Sequence, residues 1–293
     1  MGPFSMYRIL SLRSCCNEAR FSFVLWVLLI LTVPVCAADA PGTLTFGVVP
    51  QQSATKLART WVPVLRTLQE RTGIPLRFAT APDIPTFEQR LSAGEYDLAY
   101  MNPYHYTVFH GRPGYQAFAK EEDRRLQGIL VVGKGAPYTE LSEFEEQELA
   151  FPAPAAFAAT VLVQAKFRQE GIHIIPRYVS SHDSVYRSVA ADLFPAGGGV
   201  KRTFDALDAG VREQLRVLWT TDAYTPHALA THPRVPANVI ERLLAAMISL
   251  DEDAAGKAAL EGIGFTGIEP AADAEWDDVR ALGIELLQPE RVE

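Results

Sequence analysis

From Leu44 to Trp219 short apolar runs alternate with amphipathic helical stretches, the pattern of an α/β sheet covered on both faces. Residues 44–49 read as a buried first strand ended by Pro50. A helix then starts near Ser53, with Leu57, Trp61, Leu65 and Leu68 on one face, a kink expected at Pro63 and a stop at Gly73. Residues 76–79 form a second predicted strand, 84–91 a helix and 96–100 a third strand. Asn102 and Pro103 make a helix-start pair. A second unit opens near Leu126, with strands predicted at 129–132, 149–151 and 172–175 and helices at 157–169 and 183–191. Residues 217–219 are the last predicted strand. Beyond it the chain reads as helical, with Val239, Leu243 and Met247 on one face of a helix opened by Pro236. Gly197-Gly198-Gly199 reads as a turn, since it lacks the Lys and Ser/Thr of a phosphate loop.

No tether rich in Pro, Gly or Ser separates the two units. One lobe is therefore expected to be inserted within the other, with residues 39–124 and 221–293 in the first and 125–220 in the second. Hinge crossings are expected near 122–128 and 220–227.

The first forty residues differ in kind. Arg8, Arg13 and Arg20 precede the apolar run from Phe21 to Val35, and small residues follow around Cys36-Ala37-Ala38. That order predicts a signal peptide over residues 1–38, cleaved near Ala37 or Ala38. The apolar run is shorter than the roughly 20 residues of a spanning helix. Cys15, Cys16 and Cys36 are the chain's 3 cysteines and all lie in this leader. The exported body thus has no thiol for a disulfide, a thiolate metal site or a cysteine nucleophile. The whole chain carries a net charge of −8, and losing the basic leader makes it more negative. An acidic body without a Lys/Arg stripe argues against nucleic acid as a partner. Local donors must hold any anion.

Ligands of open α/β sheets sit beyond the carboxyl ends of strands, beside helix N-termini. Those positions offer Gln51, Gln52 and Ser53; Tyr100, Asn102 and Tyr104; the segment 152–160, with Ala158, Ala159 and Thr160; His182, Asp183 and Ser184; and Tyr224, Thr225 and His227. They are mostly neutral hydrogen-bonders, suited to a small polar or anionic ligand. Gln51, Gln52 and Ser53 read equally as a helix cap. His182-Asp183-Ser184 has the letters of a hydrolase triad, but sequence neighbours do not face one another in catalytic geometry. His105 and His110 are wrongly spaced for a helical metal pair. Neither an enzyme, a metal site nor a cofactor is expected.

The residues say more. Phe46-Gly47-Val48-Val49-Pro50-Gln51-Gln52-Ser53, Trp61-Val62-Pro63, Tyr96 to Pro103, Phe151-Pro152-Ala153-Pro154 and Ser181-His182-Asp183-Ser184 resemble the phosphate/phosphite/phosphonate-binding family of periplasmic ABC-transporter proteins. The similarity runs over most of residues 43–265. It implies the type II periplasmic-binding-protein fold, two α/β lobes joined by two hinge strands and closing over the ligand. It also implies delivery of a small, anionic, phosphonate-like solute to an ABC permease or its presentation to a sensor histidine kinase, and a monomer is expected. Phosphonate binders of the family carry a hydroxyl cluster where this chain has Ala156-Phe157-Ala158-Ala159-Thr160, and only Thr160 keeps a hydroxyl. A ligand aromatic of the family is Ile84 here. His182 matches the family's binding histidine, and as an imidazolium it would lose affinity above about pH 6.5. The thiol-free body argues against arsenite.

N-terminal sequencing of the exported protein is expected to start at Ala38 or Asp39. An intact Met1 on the mature protein would contradict the leader reading.

Overall fold

The computed structural model describes residues 42–287, so the signal peptide expected over residues 1–38 lies outside the described residues. The chain lays down β1 (Leu44–Val48), β2 (Leu76–Ala79), β3 (Leu98–Met101) and β4 (Gln116–Glu121). It then leaves for a second sheet made of β5 (Gly128–Gly133), β6 (Glu148–Phe151), β7 (Ile175–Tyr178), β8 (Ala196–Val200) and β9 (Leu215–Thr220). Finally it returns with β10 (Ala228–Thr231) and β11 (Ile268–Pro270). The first sheet has the order β11-β4-β10-β3-β1-β2 and the second β7-β6-β8-β5-β9. Around β1 the pairing is parallel, and β10 runs antiparallel between β3 and β4.

The two passages between sheets are tied together. Leu126 N–H donates to Tyr224 O at 2.7 Å, and Tyr224 N–H donates to Leu126 O at 3.0 Å. Thr221 Oγ1 accepts from Gly128 N–H at 2.9 Å just beyond that bridge. The paired crossings are a short two-stranded hinge.

Helices follow from local sequence. α1 (Ala54–Thr72) is capped by Ser53, continues unbroken through Pro63 and ends at Gly73, whose φ of 67° suits a residue without Cβ. Asp83 and Asn102 cap α2 (Ile84–Ser92) and α3 (Pro103–Gly111) by accepting from backbone N–H groups three residues on. After β6 a π-helical turn (Phe157–Val161) runs into α4 (Leu162–Gln169), and Ser181 caps α5 (His182–Ala190). Short α6 (Lys201–Asp205) and α7 (Ala209–Arg212) precede β9. α8 (Ala237–Ile248), α9 (Ala254–Ile263) and α10 (Asp277–Arg280) close the chain. β5 shows why the second sheet is covered twice: Leu130 and Val132 pack with Phe151, Val163 and Phe167, while Ile129 and Val131 pack with Tyr186 and Phe204.

Several sequence expectations shift. Gly197-Gly198-Gly199 is no turn but the middle of β8, at the centre of its sheet. A Cβ on Gly198 would lie 2.0 Å from Ala159 O, and one on Gly128 would lie 2.0 Å from Ala158 O. The glycines let the π-helical turn seat its backbone directly on β5 and β8. The strand expected at 172–175 begins only at Ile175; Ile172 and Ile174 pack against the core between β6 and α4 ahead of a largely exposed edge strand. β4, β10 and β11 went unread. β10 is Ala-Leu-Ala-Thr, with weak strand propensity, and β11 is three residues ending in an edge proline.

Gly198→Ala should therefore lower stability by about 1–3 kcal/mol through overpacking. Gly135→Ala, with nothing within 4 Å of its added Cβ, serves as the control. Equal melting temperatures for the two variants would contradict the close seating.

Candidate functional site

Carboxyl ends of strands from both sheets converge on a cavity of about 10 Å³, close to the space one water needs. Gln51 reaches it from the loop after β1 and Asn102 from the start of α3. Ala156, Phe157, Ala158 and Ala159 come from the π-helical turn, His182 from the start of α5 and His227 from the hinge before β10. Bonds cross between the lobes on every side. His182 N–H donates to Gln51 O at 3.1 Å, Asn102 Nδ2 to Ala155 O at 3.3 Å and Lys56 Nζ to Ala206 O at 3.0 Å.

Two of the buried polar atoms without partners among the described residues, His182 Nδ1 and His227 Nε2, belong to residues that line this cavity, and Thr160 Oγ1, in the π-helical turn beside it, is another. Buried polar atoms are normally paired, so this concentration marks a place built to bond something. The first N–H groups of the π-helical turn also lack intrahelical acceptors, as at any helix start.

The strongest charge at the cleft comes from Arg202 on α6. Its Nη2 donates to Tyr100 Oη at 2.5 Å and to Gln51 Oε1 at 3.4 Å, and its Nη1 to Glu121 Oε2 at 3.4 Å. The guanidinium lies over Tyr100 and Phe265, 5.6 and 5.4 Å from their ring centroids. Tyr100 in turn stacks on His227 at 4.9 Å. Burial pushes the Tyr100 phenol up to about 12. Burial, with repulsion from Arg202 adding to it, pulls His182 down to about 3 and holds His227 well below its ordinary value. Both imidazoles are thus neutral at pH 7. Without a ligand His182 is therefore no imidazolium, and the positive charge nearby is that of Arg202.

The remaining sequence candidates divide. Gln51, Asn102, Ala158, Ala159, His182 and His227 meet at the cavity, and Tyr100 stands one layer behind it through Arg202 and His227. Gln52 faces the outer groove beside Trp61 and Arg202. Ser53 is an exposed cap, and Ser184 gives its N–H to the Ser181 cap. Asp183 is half-buried, and burial raises its carboxyl. Tyr224 meets Phe157 edge-on at 5.6 Å from the hinge, and Thr225 is fixed by Asp278. Tyr104 points away from the cleft: its hydroxyl accepts from Leu287 N–H at 2.8 Å, beside Val279 and Ile284. Ile84, in the position of a family aromatic, does line the cavity.

Sequence reasoning missed Arg202 and Glu121, and it set His105 aside. Reading β8 as a turn hid the fact that Lys201 and Arg202 lie at a strand's carboxyl end. His105 is buried under Asn102, with Nε2 3.0 Å from Asn102 Nδ2 and 2.9 Å from Glu88 Oε1. It fixes the amide that lines the cavity. Glu145, Glu146 and His173 come within reach of one another on an exposed edge far from these elements, as exposed acids commonly do without an ion.

Residues 46–276 match the family of ABC transporter, phosphonate, periplasmic substrate-binding proteins. The chain belongs to that family. Phosphate-import protein PhnD of Mycolicibacterium smegmatis is 23% identical over 291 residues, covering 83% of this chain and 86% of that protein. A binding protein component of an ABC phosphonate transporter from Pseudomonas aeruginosa superposes with a TM-score of 0.76 at 16% identity, covering 84% of this chain and 86% of that one. PhnD1 of Prochlorococcus marinus in complex with methylphosphonate gives 0.74 at 14% identity, covering 82% and 97%. The fold is the type II periplasmic-binding-protein fold expected from sequence, and the family is one of transporter binding proteins, not enzymes. Among the described residues no helix is long and apolar enough to cross a membrane.

The depressed imidazoles make a signed prediction. The unfolded chain binds the extra protons, so their contribution to stability is intact above about pH 6.5 and is lost as pH falls towards the folded value. His182 alone should cost about 2 kcal/mol between pH 6.5 and 5. Thermal melts should fall across that range, and less steeply for His182→Gln. Parallel pH profiles for the two proteins would contradict the burial of a neutral imidazole.

Proposed function

We propose that this binding protein captures a small anionic solute of the phosphate or phosphonate class between its lobes for an ABC importer. The observation that carries the reading is the meeting of unpaired donors with a cation at one closed cleft. Neutral His182 and His227, each with a ring nitrogen lacking a partner among the described residues, and the N–H groups of the π-helical turn surround the cavity, and Arg202 bonds Gln51 Oε1 beside it. Such a set satisfies a tetrahedral oxyanion by charge-assisted hydrogen bonds. The hydroxyl cluster replaced by Ala158 and Ala159 is offset by the Arg202 charge and by backbone donors. The Mycolicibacterium smegmatis and Prochlorococcus marinus relatives, named for phosphate import and seen with methylphosphonate, support this ligand class.

A cavity near 10 Å³ admits no such anion until the lobes part. Residues 39–124 with 221–293 form one lobe in this reading, and residues 125–220 form the other. The Leu126–Tyr224 bridge is the pivot. The protein acts as a monomer once its leader is removed. The transporter family supports delivery to a permease over presentation to a sensor kinase.

Thermal-shift and calorimetric screening with phosphate and simple alkylphosphonates tests the reading. A ligand at 100 times its Kd should add about 2.7 kcal/mol of stability. His182→Ala should weaken binding by roughly ten- to a hundredfold. Unchanged affinity would place the site elsewhere.

A further inference from the structure

The cleft does not end at the inner cavity. Beyond His227, Leu126 and Val200 a second pocket of about 300 Å³ opens on the hinge side, between the crossing at 124–127 and α6. Arg124, Arg125, Lys201 and Arg202 line it, opposed by Glu121 and Asp205. A net surplus of basic groups on one pocket is unusual in a chain of overall charge −8, where the general field repels anions.

The acids hold the cations in place without exhausting them. Arg124 uses only Nε on Glu121 Oε1, at 3.2 Å. Glu121 is almost fully buried and also accepts from Arg202, so it anchors two guanidiniums at once. Arg202 bonds through its two terminal nitrogens, which leaves Nε. Lys201 Nζ contacts both oxygens of Asp205, at 2.5 and 2.6 Å, and keeps a third proton. Arg125 is fixed by Thr225 Oγ1, Ala223 O and Asp278. An arginine carries five donors in a rigid fork, so these anchored groups present spare N–H bonds without having to reorganise. The second sign of a ligand is His227. It is 2% exposed, borders both pockets, and its Nε2 has no partner among the described residues.

We propose that this hinge-side pocket takes a second anionic group of the solute, so that the bound molecule is a two-headed anion: a phosphonate or phosphate ester bearing a carboxylate or a second phosphoryl group. The first head lies at the inner cavity and the chain linking the two passes His227. This rests on the anion-capture reading above and narrows its substrate class. Inorganic phosphate and methylphosphonate fill the inner position alone and leave the basic pocket to water.

Three probes of one length separate the possibilities: propylphosphonate, 3-phosphonopropionate and 3-aminopropylphosphonate, titrated calorimetrically into the exported protein. The carboxylate-tailed probe should bind about tenfold or more tightly than the propyl one. Arg124→Gln combined with Lys201→Gln should bring that ratio close to one. Both side chains are half-exposed, so the double variant tests the pocket and not the fold. Equal affinity for the propyl and carboxylate probes overturns this inference and leaves the anion reading standing. Tighter binding of the amino probe overturns it too, by showing that Glu121 and Asp205 set the sign of the pocket. Binding of none of the three overturns this inference, and if phosphate and methylphosphonate, titrated alongside, also fail to bind, the anion reading falls with it.

Discussion

A guanidinium drawn largely out of water needs partners in the protein, and those of Arg202, which keeps one edge on the open cleft, lie across the lobe boundary. Its backbone belongs to α6 of the inserted lobe, yet Tyr100, Gln51, Glu121 and Phe265 come from the other. Glu121 is nearly fully buried and loses a cationic partner if the lobes separate, so this contact favours lobes that meet. The same charge helps keep His182 and His227 neutral, and it divides the groove beside Trp61 from the basic pocket at the hinge. The lobe contact and the lining of the outer pocket share this one side chain, which also adds to the burial that keeps both imidazoles neutral.

Close backbone seating is the second constraint. The carbonyls of Ala158 and Ala159 lie where Cβ atoms on Gly128 and Gly198 would be. A π-helical turn can sit this deep only on strands without side chains at those points. The arrangement brings N–H groups of that turn to the cavity and explains why small residues suffice in a segment where the family carries hydroxyls. On the proposed reading, binding then shifts from side-chain oxygens to backbone dipoles and to a neighbouring cation.

Much of this was legible in the sequence. Caps at Ser53, Asp83, Asn102 and Ser181, with a left-handed stop at Gly73, mark helix ends by chemistry that acts locally. The strands β1, β5 and β6 declare themselves through runs of buried apolar residues. Gln51, Asn102, Ala158, Ala159, His182 and His227 could be named because strand ends and helix starts are local features. What stayed hidden depends on long-range packing. β8 is a strand only because Phe151, Tyr186 and Ala159 close on its glycines, and β10 only because β3 and β4 flank it. Arg202 was lost with β8, since a residue after a supposed turn has no strand end to belong to. Tyr104 failed in the opposite sense: its position in the chain is right, but its helix turns the ring towards Leu287.

The central claim is that the lobes move about the Leu126–Tyr224 bridge to enclose an anion. The residues after the leader contain no cysteine, so a pair of spin labels can be placed without side reactions. Exposed Glu70 on α1 and exposed Gln169 on α4 lie in opposite lobes and tolerate replacement by cysteine. Pulsed dipolar spectroscopy on that doubly labelled protein reads the distance between lobes directly. The account predicts a broad distribution with longer distances in buffer, collapsing to one short, narrow distance with saturating methylphosphonate. An identical distribution with and without the anion would contradict it.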